Sequence, residues 1–301
     1  MKQSRTAFNA APSSLAPDDQ AQFIAFRALR TAARPDGKPM SPLRAARMAR
    51  VLRTVRLTPN MHRVTISGEE LAAFPEGQEG AHIKLMLPAP SQSESEFAAQ
   101  LAAGPRRPIT RTYTIRHHRP DLGEIDIDFA LHDEGRACKW ALEAACGDFI
   151  AIAGPSPKKM TDFAADWFLL AADMTAIPAA AAALEDMPAN AQGHAVFEIA
   201  SWVDRQPISA PPGISIDWLV APASGVAVEP QLEAMRALPW RNGRPGIFVA
   251  GESSVMKSLR QFLTEERGVE RKAMYASAYW KVGLREDQHR KLKLQEAAAC
   301  G

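Results

Sequence analysis

The hydrophobic pattern changes its period near the middle of the chain, and this change constrains the fold more than any other sequence feature. Before residue 154, short runs of Val, Ile, Leu and Thr are separated by turn residues. Within Glu124–Leu131, the apolar residues Ile125, Ile127 and Phe129 alternate with acidic ones, which is typical of a half-buried strand. Short strands at this spacing predict an antiparallel Greek-key barrel.

The predicted strands of this first half are Arg50–Leu57, Arg63–Ser67, His82–Leu87, Thr110–Arg116, Glu124–Leu131 and Asp148–Ala153. Residues 89–108 are rich in Ser, Glu, Gly and Pro, and we interpret them as a polar loop.

After Gly154–Pro155, strand-like runs alternate with helical ones. The predicted strands are Trp167–Ala171, Ala195–Ser201, Ile214–Val220, Gly246–Ala250 and Ala273–Tyr279, and the predicted helices are 176–186, Pro230–Ala237 and Ser253–Glu266. This alternation predicts an α/β domain with a mostly parallel sheet that helices cover on its faces.

A length of 301 residues favours two domains, since single cores stop growing below this size. We expect an N-terminal extension over residues 1–40, partly disordered or carrying a short helix. A barrel domain over 41–160 and an α/β domain over 161–283 follow, and residues 284–301 form a tail or helix.

The three cysteines, Cys138, Cys146 and Cys300, have neither the number nor the spacing of a disulfide framework or a zinc site. They favour a reducing cytoplasm, and we expect no metal held by protein ligands. The most apolar stretch, Phe163 to Leu184, contains two aspartates and a proline, so we expect no stable membrane association.

Residues 1–63 carry twelve Lys and Arg against three Asp, so the leading segment is basic. A basic segment can contact nucleic acid, a membrane surface or an anionic small molecule, or it can simply face water. No aromatic pattern is interleaved with these arginines, and we therefore expect no nucleic-acid partner.

The segment Arg111-Thr112-Tyr113-Thr114 places a cation and an aromatic ring on one face of a predicted strand. A guanidinium binds phosphate in a bidentate manner, and a tyrosine ring offers a plane for stacking. The segment resembles the flavin signature of the ferredoxin-reductase-like superfamily, whose core is Arg-x-Tyr-Ser/Thr. The alternative interpretation is a plain strand with alternating polar residues.

Four later segments add to this signature, in chain order. They are Gly135-Arg136-Ala137-Cys138-Lys139-Trp140-Ala141, Asp173-Met174-Thr175-Ala176-Ile177-Pro178, Ala250-Gly251-Glu252 and Tyr279-Trp280-Lys281-Val282-Gly283. The first of them opens a helix, where backbone N–H groups favour an anion. The second and third lie at strand ends that feed helices, where nicotinamide cofactors bind in open α/β sheets.

With these five segments in order, the chain resembles the siderophore-interacting protein family of FAD-binding ferric-siderophore reductases. The resemblance implies that Tyr113 and Thr114 are catalytic, with Tyr113 against the isoalloxazine and Thr114 at its edge near N5. It implies FAD binding by Arg111, Tyr113, Thr114, His132, Gly135, Arg136, Ala137, Cys138 and Trp140. Arg136 and Cys138 depart from the family's Pro and Ser, which puts the phosphate contacts in doubt.

The resemblance also implies a nicotinamide donor, NADPH or NADH, bound by Asp173, Thr175, Ala176, Gly251, Glu252 and Trp280. Arg205, after the predicted strand Ala195–Ser201, suits a 2′-phosphate, and Asp204 beside it suits a ribose hydroxyl. Both interpretations stay open, with a preference for NADPH.

The implied substrate is a ferric siderophore, which is often anionic, and basic residues near the flavin would bind it. The corresponding positions are Lys84, Lys158, Lys159 and Lys281. The implied activity passes electrons from NAD(P)H through FAD to siderophore-bound Fe(III) and releases Fe(II), and the family pattern implies a monomer. Alternatives are a related flavin oxidoreductase with a protein acceptor, and a siderophore-binding protein without turnover.

Overall fold

The computed structural model describes residues 46–103, 108–132, 135–158, 162–222, 229–284 and 288. The predicted N-terminal extension, most of the predicted tail, Lys159 and Cys300 lie outside the described residues. In the described part of the chain, no helix is both long enough and apolar enough to cross a membrane.

The first sheet is antiparallel, and its described strands follow the order β4-β3-β7-β1-β2-β6-β5. Strands β1 to β7 span Arg47–Thr58, Met61–Ser67, His82–Leu87, Ile109–Thr114, His117–Arg119, Glu124–Ala130 and Phe149–Ala153. Neighbours that are distant in sequence are typical of Greek-key sheets. The N–H of Arg116 donates to the carbonyl of Asp126 over 2.9 Å, so the sheet curls into a half-barrel.

The second sheet is parallel throughout its described strands, in the order β10-β9-β8-β11-β12. Strands β8 to β12 span Trp167–Asp173, Gln192–Ile199, Gly213–Val220, Pro245–Glu252 and Met274–Trp280. An antiparallel half-barrel followed by an α/β half confirms the predicted fold class.

The described α-helices α1 to α5 span Glu94–Ala103, Arg136–Glu143, Ile177–Asp186, Pro230–Ala237 and Ser253–Gln261. Helix α5 continues as a π-helical turn over Phe262–Glu266, and short 3₁₀ turns span Glu69–Leu71, Pro120–Leu122, Trp202–Asp204 and Arg271–Ala273. Phe168 and Leu170 of β8 pack with residues of α3, whereas Leu169 packs with residues of α4 and α5. Strand β8 is apolar along its whole length because helices cover both of its faces.

The interpretation of residues 89–108 as a loop is wrong, because helix α1 lies within them. Ser93 and Glu96 form a capping box that begins this helix: the Ser93 N–H and hydroxyl donate to the Glu96 carboxylate over 2.9 and 2.8 Å. The fully buried Phe97 then anchors the helix, with its ring 5.7 Å from that of Phe149. The Ser-x-x-Glu spacing was readable in the sequence, but the polar composition hid it.

Polar side chains hold the two sheets together. Arg116, just after β4, donates from both terminal nitrogens to the carboxylate of Glu185 on α3, over 2.7 and 2.6 Å. Only 6% of Arg116 is exposed, so this ion pair is largely removed from water. Because both hydrogen bonds are charge-assisted and bidentate, the pair is a strong and directional contact between the two halves.

Breaking this pair should cost much more stability than breaking an exposed pair. Glu185→Ala leaves the Arg116 guanidinium buried without its partner, and we expect a loss of about 2–4 kcal/mol in the free energy of unfolding. The control is Glu266→Ala, which breaks the exposed Arg236–Glu266 pair and should leave the free energy of unfolding nearly unchanged. Urea unfolding measures both, and equal losses would contradict a buried anchor.

Candidate functional site

Aromatic rings connect the signature strand β4 with helix α2. The half-buried Tyr113 ring lies 4.3 Å from the ring of Phe129 on β6, and Phe129 lies 6.1 Å from Trp140 of α2. Arg111 and Tyr113 occupy the same face of β4, as strand periodicity predicts, and the Arg111 guanidinium also donates to the Thr110 carbonyl over 3.0 Å. The structure therefore brings the first two predicted segments to one side of the first sheet.

The loop before α2 has no room for a side chain at its glycine. A Cβ atom on Gly135 would lie 2.6 Å from Cε1 of His132 and 3.1 Å from Sγ of Cys138. Among the described residues, no side chain caps the N-terminus of α2, so its first backbone N–H groups are candidates for binding a ligand. Arg136 is exposed and Ala137 is buried at this end of the helix.

Cys138 is a buried core residue, with only 2% of its surface exposed. Burial raises the pKa of its thiol, which donates to the Ala130 carbonyl over 3.4 Å. A protonated, inaccessible thiol has the properties of a small apolar side chain rather than of a redox group.

A cavity of about 390 Å³ lies beside the same loop, between α2 and the turn that joins β1 to β2. Arg56 lines it from the end of β1 and Asn60 from the turn, while His132, Lys139 and Glu143 line it from the loop and helix. Lys139 pairs with Glu143 over 3.8 Å, so Arg56 and the N-terminus of α2 are the groups that favour an anion there.

The carboxyl ends of β8, β11 and β12 form a second cluster. At the end of β8, the Oδ1 atom of Asp173 accepts hydrogen bonds from the backbone N–H groups of Thr175 and Ala176 over 2.9 and 3.3 Å, and from the Thr175 hydroxyl over 2.6 Å. These bonds shape the turn into α3. Oδ2 accepts from the Trp280 indole N–H over 2.7 Å, which ties β8 to the end of β12.

Gly251 lets the backbone of β11 approach Asp173 closely. A Cβ atom on Gly251 would lie 2.6 Å from Oδ2 of Asp173, and its φ of +152° is one that L side chains rarely adopt. Glu252 then caps α5 by accepting from the N–H of Ser254 and Val255 over 2.5 and 3.2 Å. Asp173, Gly251 and Trp280 thus meet at one edge of the parallel sheet, where such sheets bind ligands.

Tyr279, the residue before Trp280, joins the two clusters. Its phenol lies near the side chain of Thr114, which is 5% exposed, and hydrogen-bonds to the phenol of Tyr275 over 3.3 Å. Tyr275 in turn lies 3.2 Å from Nε2 of His82 on β3, and the His82 and Tyr279 rings pack edge to face at 5.4 Å. Burial raises the pKa of Tyr279 well above its usual range, so the phenol stays neutral and hydrogen-bonded.

The described lysines of the predicted substrate site border the same contact. Lys84 is two residues from His82 and hydrogen-bonds to the Thr112 hydroxyl, and Lys281 is two residues beyond Tyr279. Lys158 follows Ser156, whose N–H donates to the His82 carbonyl, but its ammonium pairs with Asp186. The fourth lysine, Lys159, lies outside the described residues.

Comparison with known proteins identifies the family. Residues 50–159 match the model of the siderophore-interacting FAD-binding domain, and residues 165–283 match that of the siderophore-interacting protein. The chain is 34% identical to ferric vibriobactin reductase ViuB of Vibrio cholerae over 253 residues, which cover 81% of this chain and 92% of the relative. The chain belongs to the siderophore-interacting protein family.

Two further similarities agree with this assignment. The NADPH-dependent ferric-chelate reductase of Escherichia coli is 30% identical over 244 residues, covering 76% of this siderophore-interacting protein and 91% of the relative. The crystal structure of the siderophore-interacting protein SipS from Aeromonas hydrophila superposes with a TM-score of 0.75 at 34% identity, covering 85% of this chain and 100% of SipS. The resemblance predicted from the five segments is thereby confirmed.

Sequence reasoning missed several residues of this siderophore-interacting protein that lie at the site. His82 and Tyr275 gave no local signal, because they meet only when the two sheets come together. Glu198 of β9 lies opposite Asp173 in the strand register, which the sequence pattern alone does not reveal. Burial, assisted by the charge of Asp173, raises the pKa of Glu198 from 4.5 to about 7.

Glu198 should make stability fall as the pH rises toward neutrality. Between pH 4.5 and about 7 the folded state holds a proton on Glu198 that the unfolded state releases. Relative to Glu198→Gln, the wild-type protein should therefore lose on the order of 2 kcal/mol of unfolding free energy between pH 5 and pH 8. Urea unfolding of both proteins at the two pH values measures this, and a difference that stays constant with pH would contradict it.

Proposed function

We propose that this protein is an FAD-dependent ferric-siderophore reductase that takes electrons from NADPH or NADH and acts as a cytoplasmic monomer. The observation that carries the proposal is the contact of His82 with Tyr275 and with the Tyr279 ring. His82 pairs with Thr114 of the flavin signature strand. Tyr279 precedes Trp280 at the edge that contains Asp173 and Gly251. A donor bound at that edge and a flavin bound at β4 would therefore lie side by side.

The residues around β4 and α2 fit an FAD molecule. The N–H groups of α2, which no side chain caps among the described residues, suit the diphosphate, and Arg111 adds a guanidinium. The half-buried Tyr113 would support the isoalloxazine, and Thr114 offers a hydroxyl beside it. When bound, FAD accepts a hydride from the nicotinamide and passes single electrons to iron.

The nicotinamide half of the donor fits the turns after β8 and β11. Gly251 lets Asp173 pack against the backbone of β11, the hydrogen bonds of Asp173 hold the turn in shape, and the Trp280 indole closes one side. The family relative from Escherichia coli is named as NADPH-dependent, which supports a nicotinamide donor for this chain.

A ferric siderophore would bind where Lys84 and Lys281 border the contact at His82. Lys158 contributes less there, because Asp186 neutralises its charge. The siderophore holds the iron through its own ligands, so the protein needs only to attract an anionic complex and to position it near the flavin. The Vibrio cholerae relative is named as a ferric vibriobactin reductase, which supports this class of substrate.

Removing both lysines should weaken capture of the substrate without loss of flavin. For Lys84→Ala/Lys281→Ala, we expect the KM for an anionic ferric siderophore to rise about 10-fold, with bound FAD unchanged and kcat altered less. The control is Lys272→Ala, which removes an exposed cation paired with Glu270 away from the site. Steady-state formation of Fe(II) from NADPH measures the effect.

An unchanged KM would remove these lysines from the site. Turnover of a protein acceptor such as a ferredoxin in preference to every ferric chelate would replace the proposed function by that of a related reductase. A protein that binds ferric siderophore but forms no Fe(II) with FAD and either donor would be a binding protein.

A further inference from the structure

The 3₁₀ turn Trp202–Asp204, which follows β9, is anchored by a fully buried carboxylate. Oδ1 of Asp204 accepts from the Thr58 hydroxyl over 2.8 Å and from the Asn60 backbone N–H over 2.9 Å, and Oδ2 accepts from the Asn60 side-chain amide over 2.8 Å. Asp204 has no exposed surface. Both oxygens therefore face the first sheet, and neither is available to a ribose hydroxyl.

The same anchor leaves the neighbouring side chains in water. Trp202 is 61% exposed and Val203 is 65% exposed, although large apolar side chains usually avoid such exposure. Arg205 is also exposed, and within the described parts of the chain its guanidinium makes no hydrogen bond or ion pair. The turn that Asp204 anchors therefore places the Trp202 ring in water, close in sequence to the Arg205 guanidinium, which has no partner among the described residues.

The position of this turn suits a dinucleotide. Strand β9 lies beside β8 on the side opposite β11, and both strands are parallel, so the turn is at the same edge as Asp173 and Gly251. Ligands of open parallel sheets lie across this edge. A cofactor whose nicotinamide lies near Gly251 and whose chain crosses the end of β8 would bring its adenosine to the end of β9.

We propose that Trp202 and Arg205 form the adenosine site of the nicotinamide cofactor and select NADPH over NADH. This inference rests on the proposed function, and it specifies which donor the proposed reductase uses. The Trp202 indole stacks on the adenine, and the Arg205 guanidinium binds the 2′-phosphate through paired hydrogen bonds. The carboxylate that would favour an unphosphorylated ribose is turned inward, because Asp204 is bound to Thr58 and Asn60.

Nucleotide fragments test this site without turnover. Isothermal titration of the FAD-loaded full chain with adenosine 2′,5′-bisphosphate and with 5′-AMP should show at least about 10-fold tighter binding of the bisphosphate. Arg205→Ala should abolish that preference and leave 5′-AMP affinity within about 2-fold of the wild type. Trp202→Ala should weaken both nucleotides about 10-fold and keep their ratio.

The matched control is Arg271→Ala, which removes an exposed arginine next to the amino end of β12, at the opposite edge of the sheet. It should bind both nucleotides as the wild type does. A wild-type protein with no preference for the bisphosphate, or an Arg205→Ala variant that keeps the preference, would overturn the inference.

The two proposals fail separately. A wild-type protein that reduces ferric siderophore equally well with NADH and NADPH, and does not prefer the bisphosphate, overturns the inference while the reductase function stands. A preference that depends on Arg205 in a protein unable to reduce ferric siderophore supports the adenosine site and overturns only the reductase function.

Discussion

The contacts of His82 with Tyr275, over 3.2 Å, and with the ring of Tyr279 join the half-barrel, beside its signature strand, to the last strand of the parallel sheet. These contacts can support electron transfer only if the two sheets keep one relative orientation, because transfer between cofactors depends on their separation and alignment. The Arg116–Glu185 pair and the buried Asp204 carboxylate also hold the two halves together through directional bonds. The candidate site thus lies where the two sheets meet. Polar side chains make the contacts of this interface, which we call the joint.

Burying polar groups at this joint costs desolvation free energy, which contacts in the rest of the structure must offset. Buried charges and hydroxyls stabilise the fold only when each has its partners, so a single lost partner at this joint is expensive. The apolar cores of the half-barrel and of the α/β sheet are separate, and each supports its own half. Because each half has its own apolar core, the contacts between the halves need only to orient them. The edge of the parallel sheet can then stay open to ligands.

The sequence could predict what depends on local periodicity and spacing. The alternation in Glu124–Leu131 and the apolar run of β8 predicted the two-part fold, which the structure confirms. The turn chemistry at Asp173 predicted a nicotinamide region, which stays a prediction. Where polar composition masked a local signal, the prediction failed, as at α1. Contacts between residues far apart in the chain, such as those of His82 with Tyr275 and Tyr279, have no local pattern and needed the structure.

The adjacent residues Asp204 and Arg205 show the same limit of prediction from sequence. Side by side in the sequence, they favoured opposite nicotinamide cofactors, and nothing local decided between them. Burial distinguishes the two side chains and supports the proposed NADPH site, because Asp204 is fully buried against the turn of the first sheet while Arg205 stays in water. Side-chain chemistry was readable from the sequence, whereas the direction in which each side chain points was not.

The visible absorption spectrum of the FAD-loaded protein, recorded without oxygen, tests most directly whether the joint brings donor and flavin together. Our account predicts that the flavin bands bleach when NADPH is added, and that they return when a ferric siderophore is added, with Fe(II) formed in the same step. Bound FAD whose bands remain unchanged after NADPH and NADH, in a correctly folded protein, would contradict the account.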